Sequence, residues 1–430
     1  MRSSSVLTGR CGSIRKSAGD RRPMKGSMAN KVLIVGMGMS AQDLTPAHLK
    51  VIRSAQVLVG AGRHLAPFAD LAAEKREIAG PMAETIDFIR ARRAEHRVVV
   101  LASGDPLFFG IGRTIAQALG RDQVAVLPNV TAIAAAFARI NEPWGEAAVV
   151  SLHGRDRRFD ILEALKTDKT VAVLTDQQQS PQWLAQWLIK RGAPVRMAVF
   201  ERIGSDEESF GWHTPPQAAE KTFAQPNVVI LKPREDGPAP RSLTLGTPDE
   251  DYLHENGLIT KAEVRAVTLA KLRLKPGLTL WDLGAGSGSV GIEASVLLDA
   301  GRIIAVEQHT GRVAQIRQNA RKYGVYNHET IQGRLPEGLA SLPRPDRIFI
   351  GGGGRDLAAI VWEALGFLNP GGVMVINTVL LDNLHQILDA LEELGMPPDV
   401  VQLQVSRSRS MPWSRRLEAQ NPVWIVSAMK

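Results

Sequence analysis

Sixteen residues constrain this chain more than any others. In 279–294, TLWDLGAGSGSVGIEA, an apolar run delivers Asp282 and the alternating glycines Gly284, Gly286 and Gly288 into a small-residue helical pattern. Glycines at that spacing let the backbone turn tightly and approach a ligand where a Cβ would intervene. The helix that follows offers unpaired N–H groups to electronegative atoms. Such a cradle stands at the carboxyl end of a strand in an open α/β sheet, and it reads as a nucleotide-type cofactor site. Residue 289 is Ser, so the spacing is GxGxG, with an acid two residues before the first glycine, and not the GxGxxG of nicotinamide dehydrogenases.

The segments after the cradle extend the same pattern. RIIAVEQ (302–308) reads as a second buried strand ending at Glu307, where a carboxylate can accept both hydroxyls of a ribose. HETIQGRLPEGL (328–339) supplies a third, ending near Gln332 and Gly333, a place to bracket an adenine. DRIFIGGGG (346–354) and GGVMVIN (371–377) are the fourth and fifth, and VVQLQVSRSRS and NPVWIVSAM are expected to close the sheet as an antiparallel pair. Ahead of the cradle, LITKAEVRAVTLAKL (258–272) is amphipathic at helical spacing, with Thr260 as the expected N-cap and Glu263 completing a capping box. It reads equally as a lid helix or as one whose Thr260 and Lys261 border the cofactor mouth.

At 430 residues the chain exceeds what one hydrophobic core usually serves, so two domains are expected. The stretch 233–250 holds four prolines among charges and glycines, and 234–250 reads as a linker between domains at 31–233 and 251–430. Of the formal charge of +8, residues 1–30 carry seven basic residues against one acid, leaving +2 for the other 400. A nearly neutral body argues against a nucleic-acid partner. The Ser- and Arg-rich tail is either a transit peptide or sequence upstream of a start at Met24 or Met28. The single cysteine, Cys11, lies there, so no disulfide, cysteine-ligated metal or cysteine nucleophile is expected in the body, which fits the cytoplasm. No metal site and no membrane span are expected.

In the first domain, KVLIVG (31–36), VLVG (57–60), RVVVLA (97–102), VAVL (124–127), VVSL (149–152), TVAVLT (170–175), VRMAVF (195–200) and NVVILKP (227–233) recur as strands between helical spacers. That alternation predicts α/β architecture. After VLVG (57–60), helical segments are expected through Arg93. Gly36, Gly38 and Ala41 make only a weak dinucleotide fingerprint, since the DLTP that follows starts a helix capped by Asp43 or Thr45. Gly104, Asp105 and Pro106 put backbone amides and a carboxylate at a sheet's carboxyl edge, although an ordinary strand-to-helix turn has the same composition. His153 reads as a loop or packed histidine.

VGMG, ASGDPLFFG, LPNVTAIAAAF and SLHGR, in that order, resemble the tetrapyrrole methylases over residues 31–233. The resemblance implies a two-lobed fold holding S-adenosylmethionine between its lobes, at Gly36, Gly38, Gly104, Asp105, Pro106, Thr131 and Ala132. Ser40 stands where that family usually has a third glycine. LITKAEVRA, WDLGAGSGSVGIEAS, IGGGG and NPVWIV together resemble the decarboxylating precorrin-6Y methyltransferase family of cobalamin synthesis over residues 250–430. This implies a class I Rossmann-like methyltransferase with a second S-adenosylmethionine site at Thr260, Asp282, Gly284, Gly286, Gly288, Glu307, Gln332 and Gly333. Amine methylation is disfavoured, because Gly351 to Gly354 occupy the place of the Asn/Asp-Pro-Pro-aromatic motif.

The paired resemblances imply two carbon methylations of precorrin-6Y at meso positions, loss of an acetate carboxyl to give precorrin-8, and a homo-oligomer. No catalytic residue is singled out. The substrate is an anionic tetrapyrrole, which basic side chains should hold. The expected ones are Arg63, Arg113 and Arg155 in the first domain, and Lys261, Arg265, Arg355, Arg407, Arg409, Arg415 and Arg416 in the second. The alternatives are an RNA or DNA methyltransferase with an accessory domain, or a nucleotide-sensing module without chemistry.

Overall fold

The computed structural model describes residues 31–154, 157–234 and 240–430. The tail with Cys11, Met24 and Met28, and the candidate Arg155, lie outside these. The fold divides into two compact units, Met1–Thr131 and Ala132–Lys430.

The first unit is a parallel five-stranded sheet of β1 (Val32–Gly36), β2 (Val57–Gly60), β3 (Glu74–Glu77), β4 (Val98–Ala102) and β5 (Val124–Leu127), in the order β3-β2-β4-β1-β5. Helices α1 (Pro46–Arg53), α2 (Gly62–Leu65), α3 (Met82–Arg92) and α4 (Ile111–Leu119) connect the strands. Leu33, Val35, Val99 and Leu101 pack on one face, and Val32, Ile34, Val98 and Val100 on the other. Continuous apolar runs arise because both faces are covered. Thr45 caps α1 and Pro46 opens it, as expected. The helical segments expected through Arg93 are present as α2 and α3, but between them Glu74–Glu77, EKRE, is an exposed edge strand whose charges disguise it as a helix or loop.

The second unit contains two larger sheets. The smaller, mixed one comprises β6 (Ala148–Ser151), β7 (Val171–Leu174), β8 (Val195–Glu201), β9 (Ser209–His213) and β10 (Asn227–Pro233), ordered β6-β7-β10-β8-β9. It packs with α5 (Ala132–Arg139), α6 (Arg158–Lys166), α7 (Pro181–Arg191) and α8 (Pro215–Ala219). The larger sheet comprises β11 (Thr279–Leu283), β12 (Arg302–Glu307), β13 (His328–Gln332), β14 (Arg347–Ile350), β15 (Val373–Thr378), β16 (Asp399–Leu403) and β19 (Val423–Met429). Its helices are α9 (Ala262–Leu272), α10 (Ser289–Leu298), α11 (Thr310–Lys322), α12 (Leu357–Phe367) and α13 (Leu381–Glu393). The order is β13-β12-β11-β14-β15-β19-β16, parallel from β13 to β15, with β19 antiparallel to both neighbours.

The expected terminal pair is present as β16 and β19, but SRSRS leaves it. It forms β17 (Ser406–Met411), which pairs with β18 (Ser414–Ala419) in an exposed hairpin. The mixed sheet docks on the edge of the larger one through Glu329, which takes Arg191 at 2.9 Å and Arg302 at 2.8 Å. Tyr326 is buried among Leu184, Leu188 and their neighbours, so one apolar cluster spans both sheets. This bonding joins the two sheets in one compact unit.

Candidate active site

In the first unit β1 lies between β4 and β5, so the loops that follow these three strands are neighbours at the sheet's carboxyl edge. Gly38 and Gly104 exchange backbone hydrogen bonds of 3.4 and 3.1 Å, both at positive φ. A Cβ on Gly36 would sit 2.5 Å from the Gly104 carbonyl oxygen, so the close approach excludes other residues. The loop without its third glycine is held by Asp43, whose carboxylate accepts Met39 N–H at 2.7 Å and Ser40 N–H at 3.1 Å. Asn129 donates to the carbonyls of Gly36 and Asp43. Asn129 was not singled out from the sequence, since it acts on a loop 93 residues away, whereas Asp43, read as a candidate helix N-cap, turns back onto the loop before it.

Asp105 turns its carboxylate back onto the Leu107 amide, and Thr131 closes the unit beside Gly104. Ala132 opens α5 in the second unit. Arg63 stands at the same edge, donating to Ser103 Oγ at 2.9 Å and to His64 Nε2 at 3.3 Å. Burial, with the Arg63 charge second, lowers the His64 pKa to about 4. Arg113 is exposed in the first turn of α4.

In the second unit a cleft of about 770 Å³ opens at the carboxyl edge of β11, β12, β14 and β15. It is lined by Thr260, Lys261, Gly284, Gly286, Glu307 and Gly333 among the expected residues. Gly284, Gly286 and Gly288 have φ of +69°, +58° and +74°. A Cβ on Gly284 would come within 3.0 Å of the Gly352 nitrogen, so the glycine run after β14 packs glycine against glycine under the cleft. Glu307 accepts Gly286 N–H at 3.0 Å on one oxygen and His309 N–H at 3.0 Å on the other. Each oxygen retains acceptor capacity, which is what two ribose hydroxyls require.

Other expected residues stand elsewhere. Asp282 is wholly buried, not at the mouth: its side chain lies under α10, where Oδ2 accepts Gly291 N–H at 3.0 Å. Burial pushes its pKa up to about 7 against that hydrogen bond, with the Glu307 charge adding. Gly288 acts sterically, since its Cβ would meet Ile316 at 2.9 Å. Gln332 is exposed and donates to Thr310. Helix α9 begins one residue later than expected, with Lys261 as N-cap and no side-chain cap bond.

The expectation that Arg265 holds substrate is overturned. Its side chain is 0% exposed and bridges Asp249 and Glu293 at 2.8 Å each. Arg407 is likewise engaged, with Asp249 at 2.9 Å and with Glu263. Arg409 pairs with Glu418 on the hairpin, Arg416 approaches the same carboxylate at 3.9 Å, and Arg415 and Arg355 are exposed. Besides Lys261, the cations of the cleft are Arg312 and Arg334, in pairs with Glu255 and Asp356. Neither was singled out from the sequence, and nothing in their local patterns marks them.

The tetrapyrrole (corrin/porphyrin) methylase family model matches residues 31–215, and the precorrin methyltransferase domain model matches 251–430. A precorrin-6Y C(5,15)-methyltransferase [decarboxylating] from Sinorhizobium sp is 34% identical over 379 residues, covering 87% of this chain and 88% of the relative. The chain belongs to the decarboxylating precorrin-6Y methyltransferase family. A second member, from Mycobacterium tuberculosis (strain CDC 1551 / Oshkosh), is 30% identical over 85% of this chain and 91% of its own length. A solved precorrin-6y C5,15-methyltransferase from Geobacter metallireducens GS-15 is 42% identical, covering 43% of this chain and 97% of that one at a TM-score of 0.42. As a member of this family the chain is a decarboxylating C-methyltransferase, and both of its sequence resemblances are met in one polypeptide.

Proposed function

We propose that this chain methylates precorrin-6Y at two meso carbons and removes the carboxyl of an acetate side chain, giving precorrin-8 in cobalamin biosynthesis. One S-adenosylmethionine site belongs to each domain, 31–233 and 251–430. The observation that carries the reading is the Glu307 carboxylate, fixed by two backbone N–H groups above a glycine cradle, in a chain matched by a decarboxylating methyltransferase over nearly its whole length.

The residues fit the cofactor. Glu307 would take the ribose, and glycines at 284 and 352 let the loops 284–288 and 351–354 pack closely beneath the cleft, where a Cβ at Gly284 would meet the Gly352 backbone. When bound, the cofactor supplies an electrophilic methyl group on a sulfonium. The chain's own part is to bind, orient and desolvate. Ile259, Val264, Phe349 and Val423 wall the cleft with apolar surface that excludes water. Lys261, Arg312 and Arg334 bring positive charge to its rim, and the exposed pairs of the two arginines exchange readily for substrate carboxylates. Positioning of an electron-rich ring carbon against the methyl donor requires no protein nucleophile.

Nucleic acid and membrane have no part in this reading. No helix among the described residues is long and apolar enough to cross a membrane. A cytoplasmic homo-oligomer is part of the proposal, supported by the β17–β18 hairpin, where Trp413 is 83% exposed, and tested by sedimentation. The functional test is incubation of the full chain with precorrin-6Y and S-adenosylmethionine, followed by product mass. Gain of two methyl groups with loss of one carbon dioxide is expected, and transfer of methyl to nucleic acid instead would overturn the assignment.

A further inference from the structure

Arg63 is held in a way that fills one edge of its guanidinium and leaves another idle. It lies in α2, just after β2, and Ser103 follows β4, the strand beside β2, so the two meet at the carboxyl edge that carries Gly38 and Gly104. The guanidinium donates from Nε to His64 Nε2 at 3.3 Å and from Nη2 to Ser103 Oγ at 2.9 Å. Arginine has donors only, so both partners accept and Nε2 carries no proton. Ser103 Oγ lies 3.2 Å from the same Nε2, which closes a triangle of polar contacts. His64 can accept only while neutral, and its pKa of about 4 keeps it so at neutral pH. Nε and Nη2 form one side of the planar fork, and that side is filled. At the tip, Nη1 and Nη2 each point an N–H away from the chain and have no acceptor among the described residues.

The acids of this edge do not serve that tip. Glu77 takes the Gly62 N–H at 3.1 Å, Asp105 the Leu107 N–H at 2.8 Å, and Asp43 the N–H groups of Met39 and Ser40. Arg90 and Arg92 of α3, by contrast, pair with Asp87 and Glu74. Arg63 is thus exposed, fixed in direction by two neutral acceptors, and keeps its charge uncancelled among the described residues. Ordering a side chain before a ligand arrives removes a cost that binding would otherwise bear.

We propose that His64 and Ser103 hold the Arg63 fork with its tip outward as a receptor for one peripheral carboxylate of the tetrapyrrole, taken end-on by Nη1 and Nη2. The inference rests on the tetrapyrrole reading of the first domain. A carboxylate presents two acceptor oxygens that match the two tip N–H groups, a bidentate and charge-assisted pair. A neutral donor finds no acceptor at this tip, and a cation is repelled. On the segment that follows Ser103, Leu107 and Phe109 are exposed apolar side chains. A ligand with charged periphery and an apolar ring suits both features. His64 and Ser103 are positioning residues, since they act through Arg63.

The test uses the full chain. Each methylation is followed by product mass at varied tetrapyrrole, the second on the singly methylated product of the first, and S-adenosylmethionine binding is measured by calorimetry. R63A should raise the tetrapyrrole KM of one methylation at least tenfold, as for loss of a charge-assisted hydrogen bond, with its kcat, the other methylation and cofactor affinity unchanged. R63K keeps the charge without the fork and should recover only part. S103A and H64F free the guanidinium and should raise the same KM about two- to tenfold, the range for ordering one loose side chain. S103T and H64Q, which restore an acceptor, should bring it back. These four variants keep the inference testable if R63A does not fold. An unchanged KM in R63A overturns it, as does a lowered melting temperature in S103A and H64F without a change in KM. An equal loss of cofactor affinity in R63A also overturns it, by showing that the fork serves the methionyl carboxylate. A wild-type chain that methylates no tetrapyrrole overturns both this inference and the functional reading beneath it.

Discussion

Replacing Arg265 by Met separates a strut from a substrate ligand. The guanidinium is fully buried, meets Glu293 and Asp249 at 2.8 Å each, and donates to the carbonyls of Thr247 and Thr260. Met matches much of its volume but supplies no charge. Asp249 would keep Arg407 at 2.9 Å. Glu293, itself 0% exposed, would keep only the Tyr252 hydroxyl and the Gly246 amide, with no cation among the described residues. Stranding one partner of a buried ion pair costs about 3–5 kcal/mol. At ~2–4 °C per kcal/mol for units of this size, the calorimetric transition of the second unit should fall by roughly 6–20 °C. R265M/E293Q removes the stranded charge and should recover about 0.5–3 kcal/mol of that loss.

The acid limb should move as well. Burial pushes the Asp249 pKa up, but hydrogen bonds from Arg265 and Arg407 outweigh it, so the folded value lies below the ordinary one. A depressed carboxyl pKa contributes stability above the unfolded value, and the contribution is lost as pH falls through the folded value. R265M shrinks that contribution and should bring acid unfolding to higher pH. A loss below about 1 kcal/mol, the range of an exposed pair, or a double variant no more stable than R265M would refute the reasoning.

E307Q presents an NH₂ to one of the two backbone N–H groups now bound by the carboxylate and removes the charge. S-adenosylmethionine affinity by calorimetry should fall at least tenfold, as for loss of a charge-assisted hydrogen bond of about 1.5–3 kcal/mol. His328 is buried, and burial, with the Arg191 charge second, lowers its pKa from 6.5 to about 4. Between those values the unfolded chain binds the extra proton, so stability is lost as pH falls through this window by up to about 3 kcal/mol. H328F should flatten that part of the denaturant-derived stability profile. Asp282 has the opposite sign: its raised pKa means stability falls as pH rises from 3.8 to about 7. D282N can still accept the Gly291 N–H, so its melting temperature should exceed the wild type's at pH 8 and lose that advantage near pH 4.

The glycine cradle, the acid at Glu307 and the apolar strands were legible because each is written in a few consecutive residues. Backbone freedom at Gly284 and Gly286, burial of a parallel strand on both faces, and an acid ending the next strand are local requirements that leave local marks. The β3 strand and the β17–β18 hairpin left none: they are exposed and charged, and only the neighbour that each pairs with makes them strands. Side-chain roles divide in the same way. Lys261 and Arg265 stand four residues apart at the start of one helix, yet one lines the cleft and the other is sealed by acids 16 and 28 residues away. Asp282 and Glu307 both stand at the ends of adjacent parallel strands, and one supports α10 while the other faces the cleft. The sequence by itself determined the fold class, the family and the place of the glycine cradle. Only the tertiary structure decided which charges face the cleft and which hold the molecule together, because that choice depends on partners brought from distant parts of the chain.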